Sequence, residues 1–283
     1  MVDENYEHPR LVAIYDDLDP DRSDLEVYAE IVAEFGAREV LDVGCGTGTF
    51  ALLLADRGLE VVAVEPAWES LEVARSKAGA DRVRWIHGDA TDLPAMRADL
   101  ATMTANVAQA IVEPSDWQGT LRGIYDALRP GGYLVFESRN PARRAWEGWN
   151  REATESVTEI DGVGAVRTWT EVTEVSGPLI SFRSTNVFAS DGAVITSDSL
   201  SASGNKRRSR PRSPHRDSRK QRFATLRTAP AENSYSLLGD LPELIAQQPA
   251  REPPGSFGSA RPGRRSAVDQ IPDVDGLLGG KPA

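Results

Sequence analysis

Cysteine, histidine and long apolar runs are scarce in this sequence. Cys45 is the one cysteine among 283 residues, which excludes an internal disulfide framework and suits a reducing compartment. Three histidines, with no cluster at metal-ligand spacing, predict no metal site. No apolar stretch approaches the roughly 20 residues of a membrane-spanning helix, and the start MVDENYEHPR does not have a signal-peptide pattern. The sequence therefore predicts a soluble, cytoplasmic protein.

Positive charge is scarce in the first two thirds of the chain and abundant after it. Residues 1–199 carry 17 Lys and Arg against 35 Asp and Glu, whereas residues 200–283 carry 15 against 8 and hold ten of the 18 prolines. Such an asymmetry requires that the two parts be interpreted separately. The acidic first part would repel phosphates. It therefore favours a small-molecule substrate over nucleic acid.

Strand and helix patterns alternate from residue 24 to residue 139. The apolar spacing predicts helices at 24–36, 48–57, 70–79 and 116–132, and strands at 39–43, 60–66, 83–89, 98–105 and 133–139. This alternation predicts an α/β fold, a doubly wound, Rossmann-like parallel sheet with helices on both faces. In such a sheet, ligands bind outside the carboxyl ends of the strands.

A glycine loop follows the first predicted strand. Gly44, Gly46 and Gly48 let the backbone approach a ligand closely. Glu65 ends the second strand 19 residues after Gly46, close to the gap of about 20 at which an acidic residue binds a ribose. The pattern predicts a ligand that contains a nucleoside.

Asp42 favours one nucleoside cofactor over another. It precedes the first loop glycine by two residues, where a carboxylate would repel a pyrophosphate by about 1 kcal/mol or more. A carboxylate there suits the ammonium and sulfonium of S-adenosylmethionine. The spacing G-x-G-x-G also differs from the dinucleotide pattern G-x-G-x-x-G. An NAD(P)-dependent reductase remains the alternative enzyme.

The motifs of residues 35–140 resemble those of class I S-adenosylmethionine-dependent methyltransferases of the small-molecule type. The similar segments are VLDVGCGTGTFALLLADRG, VVAVEP, GDATDLP and LRPGGYLVFESRN, in the family's order and spacing. The resemblance implies an S-adenosylmethionine-binding domain over 35–140. It also implies that the cofactor contacts Asp42, Gly44, Cys45, Gly46, Gly48, Glu65, Pro66, Asp89, Ala90 and Asn106.

The same resemblance implies where the acceptor binds. Residues 1–34 are similar to a helical cover over the cleft, and residues 141–199 to an inserted antiparallel cap of three or four strands. An independent edge hairpin is the alternative for the latter segment. Candidate substrate contacts are Tyr15, Arg139 and Trp146, and no residue is predicted to be a catalytic base. Methyl transfer by in-line displacement depends mainly on positioning, which can contribute roughly 7–11 kcal/mol.

Residues 200–283 lack the final helix and β hairpin that the family would have. Three interpretations remain: a disordered linker, a basic nucleic-acid-binding arm over 206–222, or a lost base near codons 199–200. We favour the last, because the adjacent frame permits a helix, a Gly turn and the segment FVFV where SYSL (234–237) now stands. Sequencing the coding DNA tests this prediction, and an in-frame gene without a homologous shifted frame would contradict it.

Overall fold

The structure, a computed structural model, describes residues 3–203 and 222–224. Of the predicted tail 200–283, residues 200–202 belong to the strand Val194–Ala202 and residues 222–224 form a further strand. Residues 204–221, which hold most of the basic segment 206–222, and residues 225–283 lie outside the described residues. Helices are α1 (Glu4–Glu7), α2 (Pro9–Ala13), α3 (Tyr15–Leu18), α4 (Asp24–Glu34), α5 (Thr49–Asp56), α6 (Trp68–Ser76), α7 (Val107–Ala110), α8 (Pro114–Ala127) and α9 (Arg151–Thr154). Strands are β1 (Glu39–Val43), β2 (Glu60–Glu65), β3 (Val83–His87), β4 (Ala98–Met103), β5 (Leu128–Phe136), β6 (Ser156–Ile160), β7 (Gly164–Ser176), β8 (Leu179–Phe188), β9 (Val194–Ala202) and β10 (Arg222–Ala224).

The central sheet is parallel and has the predicted Rossmann-like organisation. Its strand order is β10-β5-β4-β1-β2-β3, and the five strand pairs among the described residues all run in parallel. The strands are short and apolar because both faces are covered. One face packs against α4 and α5, and the other packs against α8. The chain changes direction across the sheet between β1 and β4, so a crevice forms at their carboxyl ends.

A second sheet is antiparallel, with the strand order β6-β7-β8-β9. The four strands are joined by short turns; the period-two pattern of residues 165–199 predicts β7, β8 and β9, and β6 precedes that pattern. One end of this sheet packs against α2 through a small apolar cluster of Leu11, Ile14, Ile160, Val166 and Phe188. The N-terminal helices therefore connect the second sheet to the rest of the fold.

The end of α8 differs from the prediction. The sequence predicts a helix at 116–132 that Pro130 and Gly131 stop, but the helix ends earlier, at Ala127, and β5 begins at Leu128, which has extended backbone. Pro130 lacks an N–H, and Gly131 has a φ of 85°. The segment between Leu128 and Tyr133 accordingly bulges out of the pairing with β4.

The sequence also predicts that the outer edge of β5 is exposed, because the usual C-terminal strands are missing. In the structure, Arg222–Ala224 pairs in parallel with Tyr133–Val135 of β5. The prediction of an open edge is therefore wrong at these three residues, because backbone pairing requires only an extended segment of any composition. Within the described residues, no helix combines the length and apolar character needed to cross a bilayer.

Candidate functional site

The glycine loop lies at the carboxyl end of β1, between β2 and the start of α5. Gly44, Gly46 and Gly48 all have positive φ values, of 71°, 53° and 78°. A Cβ on Gly44 would approach Val107 within 2.7 Å, and one on Gly48 would approach Trp85 within 2.6 Å. A Cβ on Gly46 would meet nothing within 4 Å, so this residue faces open space. Gly44 and Gly48 thus shape the loop, while Gly46 leaves its surface accessible.

Glu65 joins the glycine loop to the end of β2. One carboxylate oxygen accepts a hydrogen bond from Gly46 N–H at 2.8 Å, and the other accepts one from Ala67 N–H at 2.9 Å. The side chain is only 6% exposed. Burial raises its pKa, against the lowering effect of the two backbone bonds. A carboxylate has acceptor capacity beyond two bonds, so Glu65 can also bind a ligand hydroxyl.

Asp42 is fully buried beneath the loop. Its Oδ1 accepts a hydrogen bond from Thr102 Oγ1 at 2.9 Å, whereas its Oδ2 has no hydrogen-bond partner. Desolvation by burial raises its pKa from 3.8 to about 7, with the Thr102 bond opposing and nearby Glu65 adding to the rise. An unpaired buried oxygen of this kind is costly. We therefore expect the site to bind a ligand that is cationic or donates a hydrogen bond to Asp42 Oδ2.

The raised pKa of Asp42 predicts how stability depends on pH. Because the folded-state pKa of about 7 exceeds the ordinary 3.8, the folded protein binds more protons than the unfolded chain between these values. The free energy of unfolding should therefore fall as pH rises through this window. Asp42→Asn removes the titration, so we expect the melting temperature of the variant to exceed that of the parent by more at about pH 8 than at about pH 5. Equal differences at both pH values in thermal melts would contradict this expectation.

Asn106 lies across the crevice, directly after β4. It and Ala105 have positive φ values of 67° and 53°, an unusual pair for residues other than glycine. Its N–H donates to the buried carboxylate of Glu137, and its side-chain Oδ1 is buried without a hydrogen-bond partner. Among the described residues, three buried side-chain polar atoms have no hydrogen-bond partner. Two of them, Asp42 Oδ2 and Asn106 Oδ1, belong to the predicted site. Strained backbone of this type concentrates at functional sites.

Asp89 and Ala90 form a turn after β3. Asp89 accepts hydrogen bonds from the Thr91 N–H at 2.7 Å and hydroxyl at 2.6 Å. Ala90 is buried against α8, where a Cβ on Gly123 would come within 1.8 Å of the Ala90 carbonyl oxygen. The helix thus holds this turn at the edge of the crevice. Pro66 lies on the neighbouring turn, and its carbonyl oxygen is 3.0 Å from His87 Nε2. This oxygen accepts a hydrogen bond when Nε2 carries the proton.

Cys45 belongs to the loop but does not have the character of a nucleophile. Burial raises the pKa of its thiol well above the ordinary value, and the nearby carboxylates of Asp42 and Glu65 add to the rise. The thiolate is the reactive form of cysteine. Cys45 therefore remains a neutral, half-buried side chain at neutral pH.

The N-terminal segment contacts the loop through Asp16, which the sequence did not single out. Asp16 Oδ1 accepts hydrogen bonds from Thr47 Oγ1 at 2.8 Å and Thr49 Oγ1 at 3.2 Å, and its Oδ2 pairs with Lys77 Nζ at 2.5 Å. Partial burial raises its pKa, but these bonds outweigh burial and the net pKa is lowered. Its neighbour Tyr15, a predicted substrate contact, lies beside Tyr6 with ring centroids 5.8 Å apart.

The other two predicted substrate residues have different surroundings. The guanidinium of Arg139 lies over the ring of Trp149 at 5.0 Å, and the backbone N–H of Arg139 donates to Gln109 Oε1 at 2.8 Å. Trp146 is half-buried in a 3₁₀ turn, and Trp149, three residues later, is the tryptophan that contacts Arg139. The sequence analysis did not single out Gln109 and Glu137, which are both buried. Glu137 directly follows the apolar strand β5, and this position could have marked it as a candidate site residue.

Comparison with known proteins bears on the central segment. Residues 40–132 match the family model described as a methyltransferase domain. The chain is 37% identical over 106 residues to the cypemycin N-terminal methyltransferase of a Streptomyces species, covering 37% of this chain and 43% of that protein. It is 38% identical over 107 residues to the demethylmenaquinone methyltransferase of Clavibacter sepedonicus, covering 37% and 42%. The chain thus spans less than half the length of these relatives.

A solved structure shares the fold over a longer stretch. The sugar N-methyltransferase KedS8 of Streptoalloteichus sp has a TM-score of 0.54 to this chain, with 18% sequence identity. The match covers 68% of this chain and 79% of the other.

Proposed function

We propose that this chain transfers a methyl group from S-adenosylmethionine to a small-molecule acceptor. The premise is that residues 40–132 form a class I S-adenosylmethionine-dependent methyltransferase domain. The family match and the motif resemblance agree on that domain. The choice of S-adenosylmethionine as the methyl donor rests on one observation. Asp42 has a buried, unpaired oxygen beside a second buried carboxylate, Glu65, at the open surface of Gly46. Two carboxylates suit a ligand that carries positive charge and disfavour a pyrophosphate.

The residues present fit such a donor. Asp42 Oδ2 can accept from an ammonium group, Glu65 can accept from ribose hydroxyls, and Gly46 permits close approach of the ligand. Asp89 and Ala90 form the turn that would border the base. When bound, the cofactor supplies a methyl group on a positively charged sulfur, with a neutral leaving group. The chain itself then contributes binding, orientation and exclusion of water.

We assign orientation of the acceptor to residues on the side of the crevice opposite Asp42. Asn106 has an unpaired buried oxygen that can accept a hydrogen bond from an N–H or O–H of the acceptor. We propose that Tyr15, in the N-terminal helices, and Arg139, just after β5, contact the acceptor. We also propose a cytoplasmic location, on the same ground of a single cysteine, and a small molecule rather than nucleic acid as the substrate.

Calorimetry with two ligands tests the proposed function. We expect S-adenosylhomocysteine to bind the folded chain, and NADH to bind far more weakly or not at all. A dinucleotide that binds and displaces S-adenosylhomocysteine would favour the reductase alternative. Folded protein that binds neither ligand would overturn the cofactor assignment.

A further inference from the structure

The short segment after β4, residues 105–110, is here called the β4 loop, and its backbone is strained. It begins with Ala105 and Asn106, whose positive φ values of 53° and 67° are costly for residues that carry a Cβ. Strained backbone of this kind persists only where the surrounding contacts over-determine it. The contacts of the β4 loop therefore identify the groups that maintain it.

Two buried side chains hold the β4 loop to the segment that follows β5. The Asn106 N–H donates to Oε1 of Glu137. In the opposite direction, the Arg139 N–H donates to Oε1 of Gln109 at 2.8 Å. Glu137 and Gln109 are each 3% exposed. Gln109 also donates from Nε2 to the Ala202 carbonyl of β9 at 2.9 Å, so bonds to two other segments fix the loop.

The β4 loop also packs on the glycine loop of the donor site. A Cβ added to Gly44 would lie 2.7 Å from a methyl group of Val107, so the Val107 side chain lies directly against the Gly44 backbone. The preceding residue, Asn106, carries the buried Oδ1 that has no hydrogen-bond partner. A displacement of the β4 loop would therefore move both the support of Gly44 and the amide of Asn106.

A carboxylate at position 137 is more costly than an apolar side chain would be at the same place. Glu137 directly follows Val135 and Phe136, which are buried and apolar. Removal of a charged group from water is unfavourable unless strong hydrogen bonds compensate it. A bond from an N–H to a carboxylate is stronger than one to a neutral oxygen. The bond from Asn106 N–H therefore offsets part of this cost and opposes the strain of the loop.

We propose that Glu137 is a positioning residue of the donor site. This inference rests on the proposed function. By accepting the bond from Asn106 N–H, Glu137 keeps the strained β4 loop in place before a ligand binds. Val107 then supports Gly44, and the ligand is spared the free-energy cost of ordering the loop. Glu137 thus raises the affinity for the donor through the β4 loop and not by contact with the donor.

Calorimetry with S-adenosylhomocysteine on the full chain tests the proposal. Glu137→Leu removes the acceptor of the Asn106 N–H and should weaken binding about tenfold, the equivalent of one lost hydrogen bond to a charged group. Glu137→Gln keeps a side-chain oxygen of the same reach and should bind within about threefold of the parent. The comparison of these two variants separates loss of the hydrogen bond from loss of the charge.

Asp99→Leu is the matched control for general damage to the fold. Asp99 is a buried carboxylate near the start of β4, and it also accepts backbone bonds, from Arg38 N–H at 2.6 Å and Glu39 N–H at 3.1 Å. It lies at the amino end of the strand, whereas the glycine loop follows the carboxyl end of β1. The control should lower the melting temperature, as Glu137→Leu does, but leave the affinity for S-adenosylhomocysteine unchanged.

Ala105→Gly tests the proposal from the opposite direction. Glycine adopts a positive φ without steric cost, so this variant should have a higher melting temperature than the parent. Because its β4 loop is less constrained, it should nevertheless bind S-adenosylhomocysteine about threefold more weakly. A more stable protein with a weaker affinity is a result that a purely structural role of the strain would not give. This variant decides the question if Glu137→Leu does not fold.

The proposal is overturned if Glu137→Leu or Ala105→Gly binds as tightly as the parent, or if Asp99→Leu weakens binding as much as Glu137→Leu. Equal weakening by Glu137→Gln and Glu137→Leu would also overturn it, because the retained oxygen would then have no effect. The titration of the parent separates the two levels of the argument. A folded parent that does not bind S-adenosylhomocysteine overturns the proposed function, whereas a parent that binds it no better than the variants do overturns only the role of Glu137.

Discussion

Glu65→Gln should weaken S-adenosylhomocysteine binding by about 10- to 100-fold, because a hydrogen bond to a charged acceptor contributes about 1.5–3 kcal/mol. The substitution keeps the shape of the side chain but replaces one acceptor oxygen with an NH₂ group. Of the two backbone donors, Gly46 N–H and Ala67 N–H, one then loses its acceptor. The glutamine also offers a ribose one acceptor oxygen instead of two. Calorimetry on the parent and the variant measures the change.

Glu72→Gln on the exposed side of α6 is the matched control for this result. Glu72 pairs with Arg75 at the surface, and exposed pairs of this type contribute about 0–1 kcal/mol. The control should bind the ligand as the parent does. Equal affinity of the Glu65 variant and the parent would mean that this carboxylate does not contact the ligand, and would contradict the assigned site.

Gly123→Ala should destabilise the fold by about 2–4 kcal/mol, the second large effect. A Cβ at this position in α8 would lie 1.8 Å from the Ala90 carbonyl oxygen and 2.6 Å from its carbon. Both atoms are backbone, so the helix or the turn after β3 must shift. The gain in helix propensity from Gly to Ala, about 1 kcal/mol, is too small to offset this strain. Urea unfolding of the parent and the variant gives the difference.

Gly119→Ala, four residues earlier in α8, serves as the comparison. Its Cβ would lie 3.3 Å from the Thr91 side-chain methyl, a contact that a small adjustment relieves. We expect its stability to stay within about 1 kcal/mol of the parent, because helix propensity and mild crowding oppose each other. If both alanine variants unfold at the same urea concentration, α8 does not hold the Asp89–Ala90 turn as described.

The parts of the site that could be predicted from the sequence are local. The loop glycines adopt positive φ values, and Glu65 meets Gly46 because a strand–loop–helix–strand unit of fixed lengths brings these positions together. Asp42 could be singled out because it lies two residues before the first loop glycine, where a carboxylate would repel a pyrophosphate. Its burial without a partner for Oδ2 agrees with the expectation of a cationic ligand.

Contacts between distant segments were not predictable in the same way. Asp16 meets Thr47 across 31 residues, and Gln109 meets Ala202 across 93. No periodicity or spacing encodes such pairs, since they depend on how the N-terminal helices and the second sheet pack on the central one. The same is true of the contact between the Trp149 ring and the Arg139 guanidinium.

The sequence by itself determines the alternation of strands and helices, the glycine loop and the acidic residues Asp42 in β1 and Glu65 at the end of β2, because backbone conformation and apolar periodicity act within a few residues. Only the tertiary structure decided which oxygens are left unpaired and which tryptophan contacts Arg139. These properties arise from burial and from contacts between segments far apart in the chain, and they exist only once the layers have packed.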